Sequence, residues 1–253
     1  MWISTLAGVL LACSRDHTSV RAGSAPLPVV DPSMVAVPAG GFAMGSNDGD
    51  DDERPVHHVE LAAFAIDRTE VTVRAYSECI ASHSCAGAGT DPYCNGARPK
   101  SDDQPINCVD WEQAHAYCGW RRLRLPTEAE WEYTARGSDG RTYPWGDTKP
   151  AAQLCWDGRG SDLGVGRRRG TCAVGSHPAG RSAFGADDMA GNVWEWTSDF
   201  YSPRYGDPPT ESRVVRGGTW FGYDRADFRS SLRFRVGPHA HDYGLGFRCA
   251  KSI

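Results

Sequence analysis

The chain has 253 residues, 40% of them hydrophobic, and a formal net charge of −5. That length supports one substantial core, and no strongly basic balance points to nucleic acid as a partner. With 29 Gly, 16 Pro and 9 Trp, the composition predicts many short elements joined by turns, and no internal repeat, heptad run or helix-turn-helix breaks the pattern.

Residues 1–11 are almost wholly apolar, and Leu10-Leu11-Ala12-Cys13 then places a small residue before a cysteine, followed by polar Ser14, Arg15 and Asp16. The run is shorter than the ~20 residues a spanning helix needs and has the length of a secretory apolar region. It predicts a lipoprotein signal over residues 1–12, cleavage before Cys13 and acylation of the Cys13 sulfur. The absence of Lys or Arg ahead of the run departs from the usual signal, and a buried N-terminal strand is the other reading. Residues 13–33, rich in Ser, Pro, Ala and Gly, hold too little apolar surface to order themselves and read as a tether.

The domain is expected from residue 34 to residue 253. Met34-Val35-Ala36-Val37-Pro38 and Gly40-Gly41-Phe42-Ala43-Met44-Gly45 read as two short strands joined by a Pro/Gly turn. Asp48, Asp50, Asp51, Asp52 and Glu53 repel one another, which predicts a solvated acidic loop, with a calcium loop as the other reading. His57 and His58 would point to opposite faces of a strand.

Three helices follow. Thr72 caps a segment whose Val73, Tyr76 and Ile80 share a face; Asp110 with Gln113 forms a capping box ahead of Ala114, Tyr117 and Cys118. Thr127 with Glu130 forms another before Trp131 and Ala135, and Gly137 supplies the stop. Beyond it the pattern predicts short strands and loops.

Setting Cys13 aside leaves Cys79, Cys85, Cys94, Cys108, Cys118, Cys155, Cys172 and Cys249. An even set downstream of an export signal suits disulfides in an oxidising compartment better than buried free thiols. Cys79 with Cys85, Cys94 with Cys108 and Cys155 with Cys172 are the sequence-near pairings. No CxxC or zinc spacing is present.

Four ordered stretches are more specific than composition: Arg124-Leu125-Pro126-Thr127-Glu128-Ala129-Glu130-Trp131-Glu132, Tyr143-Pro144-Trp145-Gly146, Met189-Ala190-Gly191-Asn192-Val193-Trp194-Glu195-Trp196, and Arg216-Gly217-Gly218-Thr219-Trp220. With Gly244-Leu245-Gly246-Phe247-Arg248-Cys249 at the end, the chain over roughly residues 34–251 resembles the sulfatase-modifying-factor family, which includes formylglycine-generating enzymes and sulfoxide synthases. The resemblance implies a single loop-rich α+β domain similar to the C-type lectin fold, and a disulfide between Cys118 and Cys249.

It also implies one calcium site, with side chains from Asp188 and Glu195 and backbone oxygens from Gly191 and Val193, a ligand set that suits a hard cation. The other reading of Glu195 is a carboxylate held by loop amides or an arginine. A second family calcium site is not expected, because Leu154 stands where an Asn is required and Gly166 or a neighbouring arginine where an Asp is required; Arg167, Arg168 and Arg169 would repel a cation.

The departure that matters is chemical. Family enzymes hold Cu(I) through two thiols shortly after the Gly-Gly-Ser/Thr-aromatic motif, and at the matching places this chain has Gly222 and Asp227. Neither offers the soft sulfur that Cu(I) requires, so copper and catalytic residues of the family type are not expected. The favoured reading is an extracytoplasmic, membrane-anchored binding or accessory module that takes a protein, peptide or small ligand at its loop-rich face, its only membrane contact the lipid. The alternative is a metal-dependent oxidoreductase using His, Asp and Arg side chains. Arg229, Arg233 and Arg235 with Asp224 and Asp227 suggest a groove that either takes an anionic ligand or pairs internally. His239, His241 and Asp242 read as a solvated loop or an incomplete metal set.

Overall fold

The computed structural model describes residues 1–2, 30–158 and 170–253. The expected signal beyond its first two residues, Cys13, the tether as far as residue 29 and residues 166–169 lie outside the described residues. Nine strands and three helices follow in chain order among them: β1 (Met34–Val37), β2 (Gly40–Met44), β3 (His57–Leu61), β4 (Phe64–Asp67), α1 (Val73–Ala81), α2 (Trp111–Trp120), α3 (Glu128–Arg136), β5 (Trp194–Phe200), β6 (Arg213–Arg216), β7 (Arg233–Val236), β8 (Leu245–Gly246) and β9 (Ala250–Ser252).

The strands form three small sheets, ordered β1-β4-β9, β2-β3 and β7-β6-β5-β8. β1 and β2 exist where the sequence places them, but they do not pair with each other. β1 lies antiparallel to β4, and β2 lies antiparallel to β3. β4 is buried at all four positions, so it occupies the centre of its sheet, with β1 on one side and β9 on the other. The turn at Pro38 therefore carries the chain between sheets.

All three helices begin as their caps require. Thr72 accepts from the Ala75 amide at 3.1 Å, and the reciprocal boxes of Asp110 with Gln113 and Thr127 with Glu130 both close. Gly137 ends α3 at φ 68°, a conformation that disfavours a side chain. On α1 the buried face is Val73, Tyr76 and Cys79, whereas Ile80 is 37% exposed. The reason is covalent: Cys79 is bonded to Cys85, and that link turns its own position of the helix inward.

Tyr76, Tyr117, Trp196 and Phe247 fill a core beneath α1 and α2, and Phe42, Phe64, Trp131 and Met189 fill a second beside α3. The eight cysteines pair as Cys79–Cys85, Cys94–Cys108, Cys118–Cys249 and Cys155–Cys172. Cys118–Cys249 ties α2 to the C-terminal segment across 131 residues. Four disulfides are the signature of an extracytoplasmic compartment. Among the described residues no helix is long and apolar enough to cross a membrane.

Candidate functional site

Strand β5 divides the site in two. Its side chains alternate, so Trp194 faces a surface cleft while Glu195 faces the interior. The half-buried Trp194 stacks on Phe234 of β7 at 5.8 Å, and Trp196 is fully buried, donating from Nε1 to the Val109 carbonyl at 2.9 Å.

The cleft has a volume of about 1150 Å³. Gly222 and Asp227, the positions that the resemblance matches to a thiol pair, both line it. A Cβ at Gly222 would lie 3.4 Å from an Asp227 carboxylate oxygen and 2.7 Å from the Phe228 ring, so the two positions are neighbours and Phe228 reserves the first for glycine. Asp227 Oδ2 accepts from the amides of Tyr223 at 2.6 Å and Asp224 at 3.1 Å, while the Gly222 carbonyl accepts from Trp156 Nε1 at 2.8 Å. Both residues thus brace a turn. All eight cysteines of the described residues are in disulfides, which leaves no thiol among them for Cu(I).

The acidic loop is solvated at Asp48, Asp50 and Asp51, as its charge predicts, and departs from that at Glu53. Asp51–Glu53 form a short 3-10 turn, and Glu53 is fully buried. Arg229 grips both Glu53 oxygens at 2.6 and 2.8 Å. Burial alone would raise the Glu53 carboxyl, but Arg229 and the Asp50 amide hold it below its usual value. One buried ion pair therefore overrides the repulsion and fixes Asp50, Asp51 and Asp52 at the edge of the cleft.

The expected arginine groove resolves in the same way. Arg229 is taken by Glu53, and Arg233 makes a two-pronged pair with Glu128 at 2.8 and 2.7 Å while donating to the Asp52 carbonyl at 2.9 Å. Arg235 lies over the Tyr201 ring at 5.4 Å. Asp224 and Asp227 are not their partners; they cap the turn Arg225–Phe228. His241 Nε2 lies 3.6 Å from Asp110. The His57 ring packs at a tilt against Tyr205, centroids 4.6 Å apart, and His58 bonds Glu60 at 2.7 Å.

On the interior side, Glu195 is fully buried and accepts from Arg248 at 2.6 and 2.7 Å and from Trp131 Nε1 at 2.8 Å. Asp188 and Gly191 stand in left-handed conformations at φ 56° and 78°; a Cβ at Gly191 would meet the Cys155 carbonyl at 2.6 Å. Val193 is buried beside them in sequence. Asp188 accepts from the Gly175 amide at 2.5 Å, and burial pushes its carboxyl up.

Sequence reasoning missed Glu70, which is 1% exposed and has no hydrogen-bond donor on either carboxylate oxygen. Burial, then the charges of Asp188 and Glu195, push its carboxyl well above the usual range. Its position just ahead of the Thr72 cap carries no mark that separates it from a surface acid. Three buried carboxylates thus meet one guanidinium, Arg248, and an unpaired carboxylate in such a place requires a proton or a cation. Among the described residues no three His, Cys, Asp or Glu side chains gather closely enough to hold a metal alone. Of the set expected to hold calcium, Asp188, Gly191, Val193 and Glu195, the last has both oxygens engaged by Arg248 and Trp131, the reading in which an arginine holds this carboxylate. Leu154, at the second family site, is a buried member of an aromatic cluster with Tyr143, Trp156 and Phe228.

Comparison with known proteins identifies this scaffold. A model described as the sulfatase-modifying factor enzyme 1-like domain matches residues 22–253. The chain is 32% identical to the inactive C-alpha-formylglycine-generating enzyme 2 of Mus musculus, covering 96% of this chain and 91% of that protein. It is 34% identical to the formylglycine-generating enzyme of Streptomyces coelicolor, covering 95% and 96%. Among solved structures, PvdO from Pseudomonas aeruginosa superposes with a TM-score of 0.72 at 30% identity, over 87% of this chain and 94% of that one. The loop-rich α+β architecture, the ordered tryptophan and glycine motifs and these likenesses agree: the chain belongs to the sulfatase-modifying factor enzyme 1-like domain family.

Proposed function

We propose that this protein is a lipid-anchored extracytoplasmic binding or accessory module, stabilised by calcium and without formylglycine-generating activity. The observation that carries the reading is the pair Gly222 and Asp227, adjacent in the cleft where the family's copper chemistry needs two thiols, with every cysteine of the described residues in a disulfide. Family membership does not decide activity, because one relative bears the name of an active enzyme and another that of an inactive form. The scaffold supplies a shaped cleft, and a cleft without its reactive centre still binds.

In this reading calcium is held by Asp188 and Glu195 with the backbone oxygens of Gly191 and Val193, and it offsets the charge of Glu70. It orders the turn beneath β5, on whose other face Trp194 lines the cleft. Cys13 carries the lipid, and residues 13–33 tether a domain that begins at residue 34. The test is oxidation of a cysteine-containing sulfatase-type peptide by purified protein supplied with copper. No product above the protein-free control is expected; turnover would overturn the reading.

A further inference from the structure

The cleft's charge and lining point to the class of ligand it takes. Its wall is aromatic and apolar, built from Trp194, Phe221 and Phe234 over Leu232, Val236 and Leu245. Phe234 is 53% exposed and Tyr223 at the mouth 72% exposed, large areas for aromatic rings to leave in water. The charged groups are unevenly matched. Five carboxylates line the cleft, those of Asp50, Asp51, Asp52, Asp227 and Asp242, against the guanidinium groups of Arg233 and Arg235.

Internal pairing deepens that imbalance. Arg233 is neutralised by Glu128 behind it, and Arg229 binds Glu53 at 2.6 Å, with Asp50 farther off at 4.0 Å. The same pair locks the turn, so Asp50, Asp51 and Asp52 are held at the cleft's edge by a buried anchor, the first two with largely exposed side chains. Asp51 keeps an exposed partner, Arg54 at 3.1 Å, and Asp52 accepts from the Tyr201 hydroxyl at 2.8 Å, leaving lone pairs on each. Aromatic faces also attract cations in their own right.

We propose that the cleft is a receptor for a small organic cation, an ammonium or guanidinium group borne on a flat apolar body. The body lies against Trp194, Phe221 and Phe234, and the positive group faces the carboxylates of Asp50, Asp51 and Asp52. The proposal rests on the binding-module reading and names the ligand class for that site.

The experiment titrates the calcium-equilibrated full domain with three probes of matched size, 3-phenylpropylamine, 3-phenylpropanol and 3-phenylpropanoate, read by tryptophan fluorescence and by ligand-observed magnetic resonance. The amine should bind at least tenfold more tightly than the alcohol, and the carboxylate weaker still. Raising the salt from 50 to 500 mM should erode the amine's advantage. Asp50→Asn with Asp51→Asn, at exposed positions, should lower amine affinity about fivefold and leave alcohol binding unchanged. Phe234→Ala should weaken amine and alcohol alike, with thermal unfolding unaltered in both variants. Equal or tighter binding of the carboxylate would overturn the charge assignment and leave the binding module standing. No binding by any probe at millimolar concentration would overturn both.

Discussion

Two regions of this molecule bury charge, and they do so differently. Beneath the cleft, Glu53, Glu128 and Glu132 meet Arg229, Arg233, Arg216 and Arg136: Arg216 contacts Glu132 closely and lies 3.3 Å from Glu128, and Arg136 is 2.9 Å from Glu132. Beneath β5, Glu70, Asp188 and Glu195 share Arg248, whose fork is committed to Glu195. The first region sets four guanidinium groups against three carboxylates and leaves none of those acids without a cation. The second carries excess negative charge, and that excess is what a divalent cation would balance. The same kind of residue is thus paired with cations in one place and crowded by its like in the other.

The comparison can be broken from its strongest support downward. Replacing Cys118 and Cys249 with alanine frees the segment that carries Arg248; closing a loop of this length is worth about 5 kcal/mol, and urea denaturation should report a loss near that size. Arg216→Met should cost about 3 kcal/mol by the same assay, because it leaves buried Glu132 with Arg136 alone and buried Glu128 with Arg233 alone. A cost below about 1 kcal/mol would mean that the network is not held by its ion pairs.

Calcium removal comes next. A chelator should lower the unfolding free energy by about 2–3 kcal/mol if the ion was present at a hundredfold over its dissociation constant. Glu70→Gln should raise the thermal midpoint of the chelated protein and shrink the calcium effect by at least half, since it removes the charge the ion offsets. An unchanged calcium effect would detach Glu70 from the site.

The smallest effect is in pH. Arg229 holds the Glu53 carboxyl below its ordinary value of 4.5, so this pair's stabilisation is fully present above that pH and is lost as pH falls through the lower folded value. After solvent screening it should amount to on the order of 1 kcal/mol. Arg229→Met should flatten that part of the acid limb, and an unaltered limb would remove the pair from the account.

How much of this was legible in the sequence follows from the range of each interaction. Capping is local, so Thr72, Asp110 with Gln113 and Thr127 with Glu130 announced their helices. What the sequence concealed was long-range: Arg229 reaches Glu53 across 176 residues and takes that one acid out of an otherwise solvated loop. Arg233 reaches Glu128 across 105. β1 and β2 read as a pair because nothing local tells which sheet each joins. Ile80 followed the helical period, and a disulfide set the face one position earlier. Glu70 was invisible for the same reason, its environment being assembled from Asp188, Glu195 and Arg248, more than a hundred residues away.

The measurement that bears most directly on the account is elemental analysis of protein purified without chelator, reporting calcium, copper and iron per chain. The account predicts one calcium and no stoichiometric redox metal. Stoichiometric copper or iron would contradict it, placing a redox centre in a scaffold read here as a receptor.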